Sequence, residues 1–330
     1  MGLKLPNPFT KKQAQRDADS LGAAGVSLCL LFSLRNGEFC DKMIVIQSVS
    51  ALRERRGSME LLSGVTKEDY SDYILYFIET LSDELKEEIR NRLVAICYGI
   101  DQAQSTRRIY SYRATVEEFI KRYKTSSVSE DRKKGMIGEL LVHVLLDIEG
   151  RFIAASPFFN MEERSFKKGF DVALFDENTN ELWIAEVKSG KKQLRQPTAS
   201  SAIVGLINTA KNDLDKRLND ENTSLWLNAI NAAKLSMSGS GQQKNAVVKL
   251  LEQYADDAVE SNSSSQEFNV VLAGVLFHPM SEHMEATKVG QKHTKVVNEK
   301  LFRKVFIMAI QKETFEAVYD FLESEAKDET

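Results

Sequence analysis

The first part of the chain combines strand-like and helix-like patterns of apolar residues. Between residues 25 and 50, two apolar runs flank an Asn-Gly pair, which predicts a β-hairpin with a tight turn. From residue 67 to about 100, apolar positions recur every three or four residues, which predicts an amphipathic helix or a pair of helices. A further helix is predicted over residues 115–123. The polar segment that follows interrupts the pattern, so we place a domain or subdomain boundary near residue 128.

The second part of the chain alternates helices with strands. A helix over residues 137–146 precedes two apolar runs, 169–175 and 182–187, which a polar stretch of turn-forming residues joins into a pair of strands. An apolar stripe at helical spacing then predicts a long helix over residues 198–218. The remaining predicted elements are a helix at 246–259, a central strand at Asn269–Phe277, a strand at 304–310 and a helix at 312–324. The pattern predicts an α/β fold.

Composition is that of a globular protein, since 330 residues with 42% apolar and 28% charged side chains suffice for one large or two modest domains. The longest apolar stretch, near residues 23–32, is too short to cross a bilayer, so we expect no membrane partner. The first residues carry charges where a signal peptide has an apolar core, which predicts a cytoplasmic location. Three widely spaced cysteines indicate neither a disulfide framework nor a cysteine zinc site.

Charged residues gather where the predicted strands 169–175 and 182–187 meet. Asp171 lies on the first strand, while Glu186 and Lys188 lie near the end of the second and share a face because side chains alternate along a strand. A hairpin then brings Asp171 beside Glu186. Two adjacent carboxylates are hard oxygen ligands suited to Mg²⁺ or Mn²⁺. The pattern predicts phosphodiester hydrolysis, in which Lys188 positions water or offsets phosphate charge and Glu139 completes the metal shell or holds a metal-bound water.

The Glu-x-Lys tripeptide is common, and two more copies begin at Glu84 and Glu325. Both of these lie in helical patterns, where residues two positions apart do not share a face. The copy that begins at Glu186 lies on a predicted strand and follows a strand-borne aspartate. The alternative interpretation is an exposed edge strand with ordinary charges.

The order of these elements resembles the PD-(D/E)xK nuclease core, which has the restriction-endonuclease-like fold. The matching features are a Gly-Glu pair on a helix (Gly138, Glu139), Gly-x-Asp on a strand (Gly169, Asp171), Glu-x-Lys on the next strand (Glu186, Lys188) and a long helix. The resemblance covers about residues 134–218, and the strands near Val270 and Val305 fill out the expected mixed sheet. One departure is Phe170, which precedes Asp171 where the family name has proline.

This resemblance implies a restriction-endonuclease-like mixed β-sheet core flanked by helices over residues 129–330. Residues 1–128 then form an N-terminal α/β accessory or partner-docking region. The implied activity is that of a Mg²⁺- or Mn²⁺-dependent nuclease. Its implied catalytic residues are Asp171, Glu186, Lys188 and Glu139, of which Asp171, Glu186 and Glu139 hold the metal.

More loosely, the chain is similar to the nuclease subunit of Hachiman-type anti-phage defence systems. The features shared are an α/β region of about 130 residues ahead of the Gly-Glu helix and the strand IAEVKSG. This likeness implies a DNA nuclease with little sequence specificity, held by a helicase partner and released when the system is triggered.

Basic residues cluster beside the proposed ligands. Lys191, Lys192 and Arg195 follow the Glu-x-Lys strand, and Lys134 lies in a basic run that leads into the Gly-Glu helix. Such runs fit contacts to the phosphate backbone of DNA, which carry no sequence information. Ordinary solvated charges are the alternative explanation. A net charge of −4 argues against a protein that coats nucleic acid over its whole surface but allows a local basic groove.

Two other functions fit the same sequence. In one, the fold is a non-catalytic module that docks a nucleic acid or a protein, and its charges are surface features. In the other, the chain is a stand-alone nuclease in repair or restriction without a defence partner.

Overall fold

In the computed structural model, the described residues are 58–125, 129–159, 170–220, 223–237, 241–260 and 263–327. All of them belong to one compact unit that spans Leu52–Thr330. The hairpin predicted between residues 25 and 50 lies outside the described residues.

The centre of the fold is an eight-stranded mixed sheet with the strand order β1-β2-β3-β8-β7-β6-β5-β4. The strands are β1 (Ser58–Leu62), β2 (Val65–Tyr70), β3 (Tyr73–Ile78), β4 (Phe152–Ala154), β5 (Val172–Asp176), β6 (Glu181–Lys191), β7 (Asn269–Phe277) and β8 (Lys304–Lys312). The four central strands, β3, β8, β7 and β6, run parallel, and antiparallel strands flank them at both edges. Parallel strands require helical crossovers that cover both faces of the sheet.

Helices cover both faces of the sheet. They are α1 (Asp83–Tyr98), α2 (Ile100–Ala103), α3 (Tyr112–Lys124), α4 (Glu130–Glu149), α5 (Ala199–Leu218), α6 (Thr223–Ser236), α7 (Gln242–Val259), α8 (Ala286–Glu299) and α9 (Glu316–Lys327). On the first face, α1, α3, α4 and α9 bury one apolar core, and on the second face, α5 to α8 bury another. The predicted mixed α/β architecture, with helices flanking the sheet, is confirmed.

The helical prediction for residues 67–100 is wrong in its first half. Residues Tyr73–Ile78 form β3, a central strand that is buried at every position between β2 and β8. Because every position of this strand is apolar, a spacing of three or four residues can be read into it although it has no helical period. The prediction is right from Asp83 onward. There the Ser82 hydroxyl caps α1 by accepting the Leu85 N–H at 3.2 Å.

The other predicted elements are present, with small changes at their ends. Strand Asn269–Phe277 has the predicted bounds, and the predicted helices 115–123, 137–146, 198–218 and 246–259 lie within or nearly coincide with α3, α4, α5 and α7. The final helix begins four residues late because β8 continues to Lys312. The strands β1, β2 and β4 and the helices α2, α6 and α8 were not predicted.

The structure corrects the domain boundary placed near residue 128. Strand β3, which precedes this position, pairs with β8 over six residues. Helices α1 and α3 share the apolar core of the first face with α4 and α9. Residues on the two sides of position 128 therefore build one sheet and one core. The remainder of the predicted accessory region, residues 1–57, lies outside the described residues.

Gly138 allows α4 to lie directly against β6. A Cβ atom at this position would lie 2.9 Å from the Ser189 Cβ and 3.3 Å from the Val275 Cβ. One turn earlier, Gly135 has no neighbouring heavy atom within 4 Å of the corresponding position. Gly138 therefore leaves no room for a larger side chain, whereas the space beside Gly135 is open.

We expect Gly138→Ala to lower the free energy of unfolding by about 1–3 kcal/mol, because the added methyl group overpacks the contact between α4 and β6. Gly135→Ala is the matched control, and we expect it to raise that free energy by about 0.5–1 kcal/mol through better helix propensity. Urea denaturation of both variants measures the difference. Equal stabilisation by the two alanines would show that α4 does not need its close approach to β6.

Within the described ranges, no helix is both long and apolar enough to cross a membrane.

Candidate functional site

Asp171 lies at the point where β5 leaves β6. The antiparallel ladder of the two strands begins with Val172 opposite Ala185, so the next position on each strand places Asp171 opposite Glu186. The Asp171 carboxylate Oδ2 accepts the backbone N–H of Val187 at 2.9 Å. Strand β6 continues for several residues beyond this point, supported by β7 on its other side. The hairpin thus holds an acidic side chain against the middle of β6.

Glu186 forms the centre of an ion-pair network on the second face of the sheet. Its side chain is fully buried, with 0% exposure. One carboxylate oxygen, Oε1, accepts from the Lys188 Nζ at 2.7 Å, and the other, Oε2, accepts from the Arg217 Nη1 at 3.0 Å. The Lys188 Nζ also lies 2.9 Å from the Asp213 Oδ2. Two carboxylates and two cations therefore surround one buried carboxylate.

Burial and, to a smaller extent, the neighbouring Asp171 carboxylate raise the pKa of Glu186 to about 7, against the opposing effects of Arg217 and Lys188. Burial acts in the opposite direction on Lys188, but Glu186 and Asp213 outweigh it, so the pKa of Lys188 is raised. Lys188 therefore keeps its positive charge at neutral pH. The acidic side chain at the centre of the site titrates near the pH of a cell, which is a property of many functional carboxyl groups.

Glu139 lies on the other side of the sheet. It is buried on α4, next to Gly138, which packs against Ser189. Because side chains alternate along β6, Ser189 points to the first face and Glu186 to the second. The structure thus brings Asp171, Glu186 and Lys188 together directly, whereas Glu139 projects from the opposite helix layer.

Two residues of this network were missed in the sequence. Asp213 and Arg217 both lie on α5, and Arg217 follows Glu186 by 31 positions in the chain. Their spacing of four residues places them on one face of the helix. The sequence signal for these two residues was a charged pair at helical spacing, beside the apolar stripe that includes Leu214 and Leu218.

A comparison with protein-family models matches most of this chain. The HamA family model matches residues 61–324, which is most of the sequence. The chain belongs to the HamA family. This membership links it to Hachiman anti-phage defence. A comparison with curated proteins found no match.

The family match covers the whole ion-pair network. Residues Asp171, Glu186, Lys188, Asp213 and Arg217 all lie between positions 61 and 324. The network is therefore part of the HamA portion of this chain rather than of a segment outside it.

Two of the basic residues predicted to contact DNA are held by acidic side chains of α4 or α9. Lys134 is buried, and its Nζ lies 2.7 Å from the Asp131 Oδ1. Lys191, at the end of β6, is half exposed and lies 3.3 Å from the Glu130 carboxylate and 3.6 Å from that of Glu316. Exposed ion pairs contribute little free energy, so the partners of Lys191 can be exchanged for a phosphate. Lys134 is less available because it is buried.

The other two basic residues follow β6 in the loop to α5. The Lys192 Nζ lies 3.2 Å from the Glu282 carboxylate, and Arg195 is exposed. A tight turn shapes this loop, since the Gln193 N–H donates to the Gln196 side chain at 2.8 Å. The loop therefore presents Arg195 to solvent beside the end of the strand that carries Glu186 and Lys188.

The donor set fits a hard divalent cation. In the described part of the chain, no group of three or more His, Cys, Asp or Glu side chains is placed to hold a metal ion. Mg²⁺, however, is commonly held by one or two carboxylates together with waters and substrate phosphates. Asp171 and Glu186 supply two such carboxylates, and the charge of Asp171 already raises the pKa of Glu186. A cation between them would relieve this repulsion.

Proposed function

We propose that this HamA-family chain is a metal-dependent DNA nuclease and the effector of a Hachiman defence system, controlled by a helicase partner. The observation that carries this proposal is the convergence of Asp171, Glu186 and Lys188 where β5 leaves β6, with Glu186 fully buried. The chain order of helix, hairpin and long helix, together with the mixed sheet, supports a restriction-endonuclease-like core.

Each residue of the cluster has a distinct role in this proposal. Asp171 and Glu186 would hold Mg²⁺ or Mn²⁺, which when bound would lower the pKa of a coordinated water and offset phosphate charge. The Lys188 side chain is 25% exposed, so its ammonium group can reach a substrate phosphate and stabilise the negative charge that develops there. Asp213 orients Lys188 from α5. Glu139, in the opposite layer, is proposed as a supporting carboxylate.

Low sequence specificity follows from the kind of contact that the surface offers. Arg195 is exposed beside the site, and Lys191 and Lys192 are held by ion pairs with their own chain. These side chains suit phosphate groups, which are the same in every DNA sequence. A nuclease of this kind would also cut host DNA, so control by a partner protein is part of the proposal.

The decisive experiment incubates the purified chain, alone and with a candidate helicase partner, with plasmid and linear DNA. We expect cleavage in Mg²⁺ that EDTA abolishes, and we expect the helicase to control its rate. DNA binding without cleavage under every condition would favour a non-catalytic module. Full activity of the isolated chain that the helicase does not change would favour a stand-alone repair or restriction nuclease.

Metal binding can be tested separately from cleavage. We expect Asp171→Asn to weaken Mn²⁺ binding by at least about tenfold in calorimetry, because it removes a formal negative charge from a hard-cation site. Asp220→Asn, which changes an exposed aspartate just beyond α5, is the matched control and should bind like the wild type. Equal Mn²⁺ affinity for the Asp171→Asn variant and the wild type would contradict the ligand role of Asp171.

A further inference from the structure

Glu186 is closed off from solvent by two cationic side chains. Its own exposure is 0%, while the side chains of Lys188 and Arg217, each bound to one carboxylate oxygen, are 25% and 31% exposed. These two side chains form the outer layer of the site. A hydrated cation that approaches Glu186 must therefore displace one of them.

Of the two, Arg217 is the one that can leave. Lys188 lies on β6 beside Glu186 and is held by a second carboxylate, Asp213, at 2.9 Å. Within the described part of the chain, Arg217 makes one ion pair, with the Glu186 Oε2. It lies in the last turn of α5, where the side chain is attached to a helix end rather than to the sheet. Its long flexible stem can carry the guanidinium away without moving the backbone.

A second carboxylate is placed to receive the guanidinium. Asp213 lies four residues before Arg217 on α5, and residues at this spacing face each other on a helix. Its side chain is 45% exposed, so it can bind Arg217 in a more solvated position. Arg217 therefore pairs with one carboxylate at the buried site and has a second carboxylate within reach on its own helix.

We propose that Arg217 is an autoinhibitory gate, whose ion pair with Glu186 excludes the divalent cation until the guanidinium moves away. This inference rests on the proposed function, since it concerns the regulation of the same metal site. The Arg217 guanidinium donates to the Glu186 Oε2 at 3.0 Å. Its positive charge repels a divalent cation, and its N–H group competes with that cation for the lone pairs of the same oxygen. The ion pair with Arg217 and the metal ion are alternatives at one carboxylate.

The test measures Mn²⁺ binding by calorimetry, without DNA, at about pH 8.5, where Glu186 is ionised. We expect Arg217→Gln to tighten Mn²⁺ binding by at least about tenfold, because it removes the competing charge. Arg217→Lys keeps a positive charge at the gate and should stay within about threefold of the wild type. Lys216→Gln removes the neighbouring exposed cation of α5 and is the control for net charge.

The outcomes separate the gate from the nuclease proposal. Tighter binding by Arg217→Gln, with Lys216→Gln unchanged, supports the gate. Unchanged or weaker binding by a folded Arg217→Gln, with the wild type still binding Mn²⁺ and cleaving DNA, overturns the gate alone. Absence of Mn²⁺ binding in every variant overturns both. If Arg217→Gln does not fold, Arg217→Met, which keeps an apolar stem, is measured in its place against the same criteria.

Discussion

Replacing Lys188 with methionine is expected to reduce DNA cleavage at least about a hundredfold while the fold remains intact. Methionine keeps the length of the apolar stem and removes the ammonium group that bridges Glu186 and Asp213. The side chain is partly exposed at its tip, so its loss leaves no large cavity. The measurement is the initial rate of cleavage of linear DNA in Mg²⁺, together with circular dichroism to verify the fold.

Lys304→Met is the matched control for this variant. Like Lys188, Lys304 lies on a strand of the sheet and pairs with a glutamate, Glu181. This pair lies at the opposite end of β6 from the proposed site. We expect its cleavage rate to match that of the wild type. A Lys188→Met protein that is folded and as fast as the wild type would remove Lys188 from the mechanism.

The second large effect is expected for Glu186→Gln, which should abolish cleavage and at the same time stabilise the protein at alkaline pH. Glutamine resembles the protonated carboxyl group in shape and cannot ionise. The folded protein raises the pKa of Glu186 from 4.5 to about 7, so it favours the protonated form. The stabilisation from this preference is complete below the unfolded pKa and is lost as the pH rises from about 4.5 to about 7.

The difference in unfolding free energy between the variant and the wild type is therefore expected to grow with pH. It should be near zero at about pH 4 and should reach up to about 3 kcal/mol in favour of Glu186→Gln at about pH 8. Glu181→Gln, on the same strand, should behave in the opposite way, because Lys304 lowers the pKa of Glu181 and its ionised form is favoured. A Glu186→Gln variant whose relative stability does not change with pH would show that Glu186 is not held in a protonation-sensitive site.

The cluster of Asp171, Glu186 and Lys188 was accessible to sequence reasoning because its geometry is local. Side-chain alternation on one strand fixes the common face of Glu186 and Lys188, and a short hairpin fixes Asp171 beside them. The turn of the hairpin is only a few residues long, so little else can intervene. Glu139 lacked such a constraint, since a helix can pack on either face of a sheet. The structure places α4, the helix that carries Glu139, on the face opposite Glu186.

The partners of the cluster were not accessible in the same way. Arg217 reaches Glu186 only because α5 crosses the second face of the sheet, and no local rule sets the rotation of that helix. The strand Tyr73–Ile78 was mistaken for part of a helix because a strand buried on both faces has no alternation. Its pairing with β8 joins residues more than two hundred positions apart, as in the pair Tyr73 and Ile307. Such pairing depends on the whole chain.

The position of β8 also bears on how the protein is made. This strand is the last of the described strands in chain order, yet it lies between β3 and β7 in the middle of the sheet. During synthesis, β3 and β7 each present an unpaired edge until residue Lys312 has left the ribosome, and long-range pairing of this kind is slow. Exposed strand edges in a partly made chain favour aggregation. Synthesis of this protein is therefore expected to depend on molecular chaperones more than its size alone would suggest.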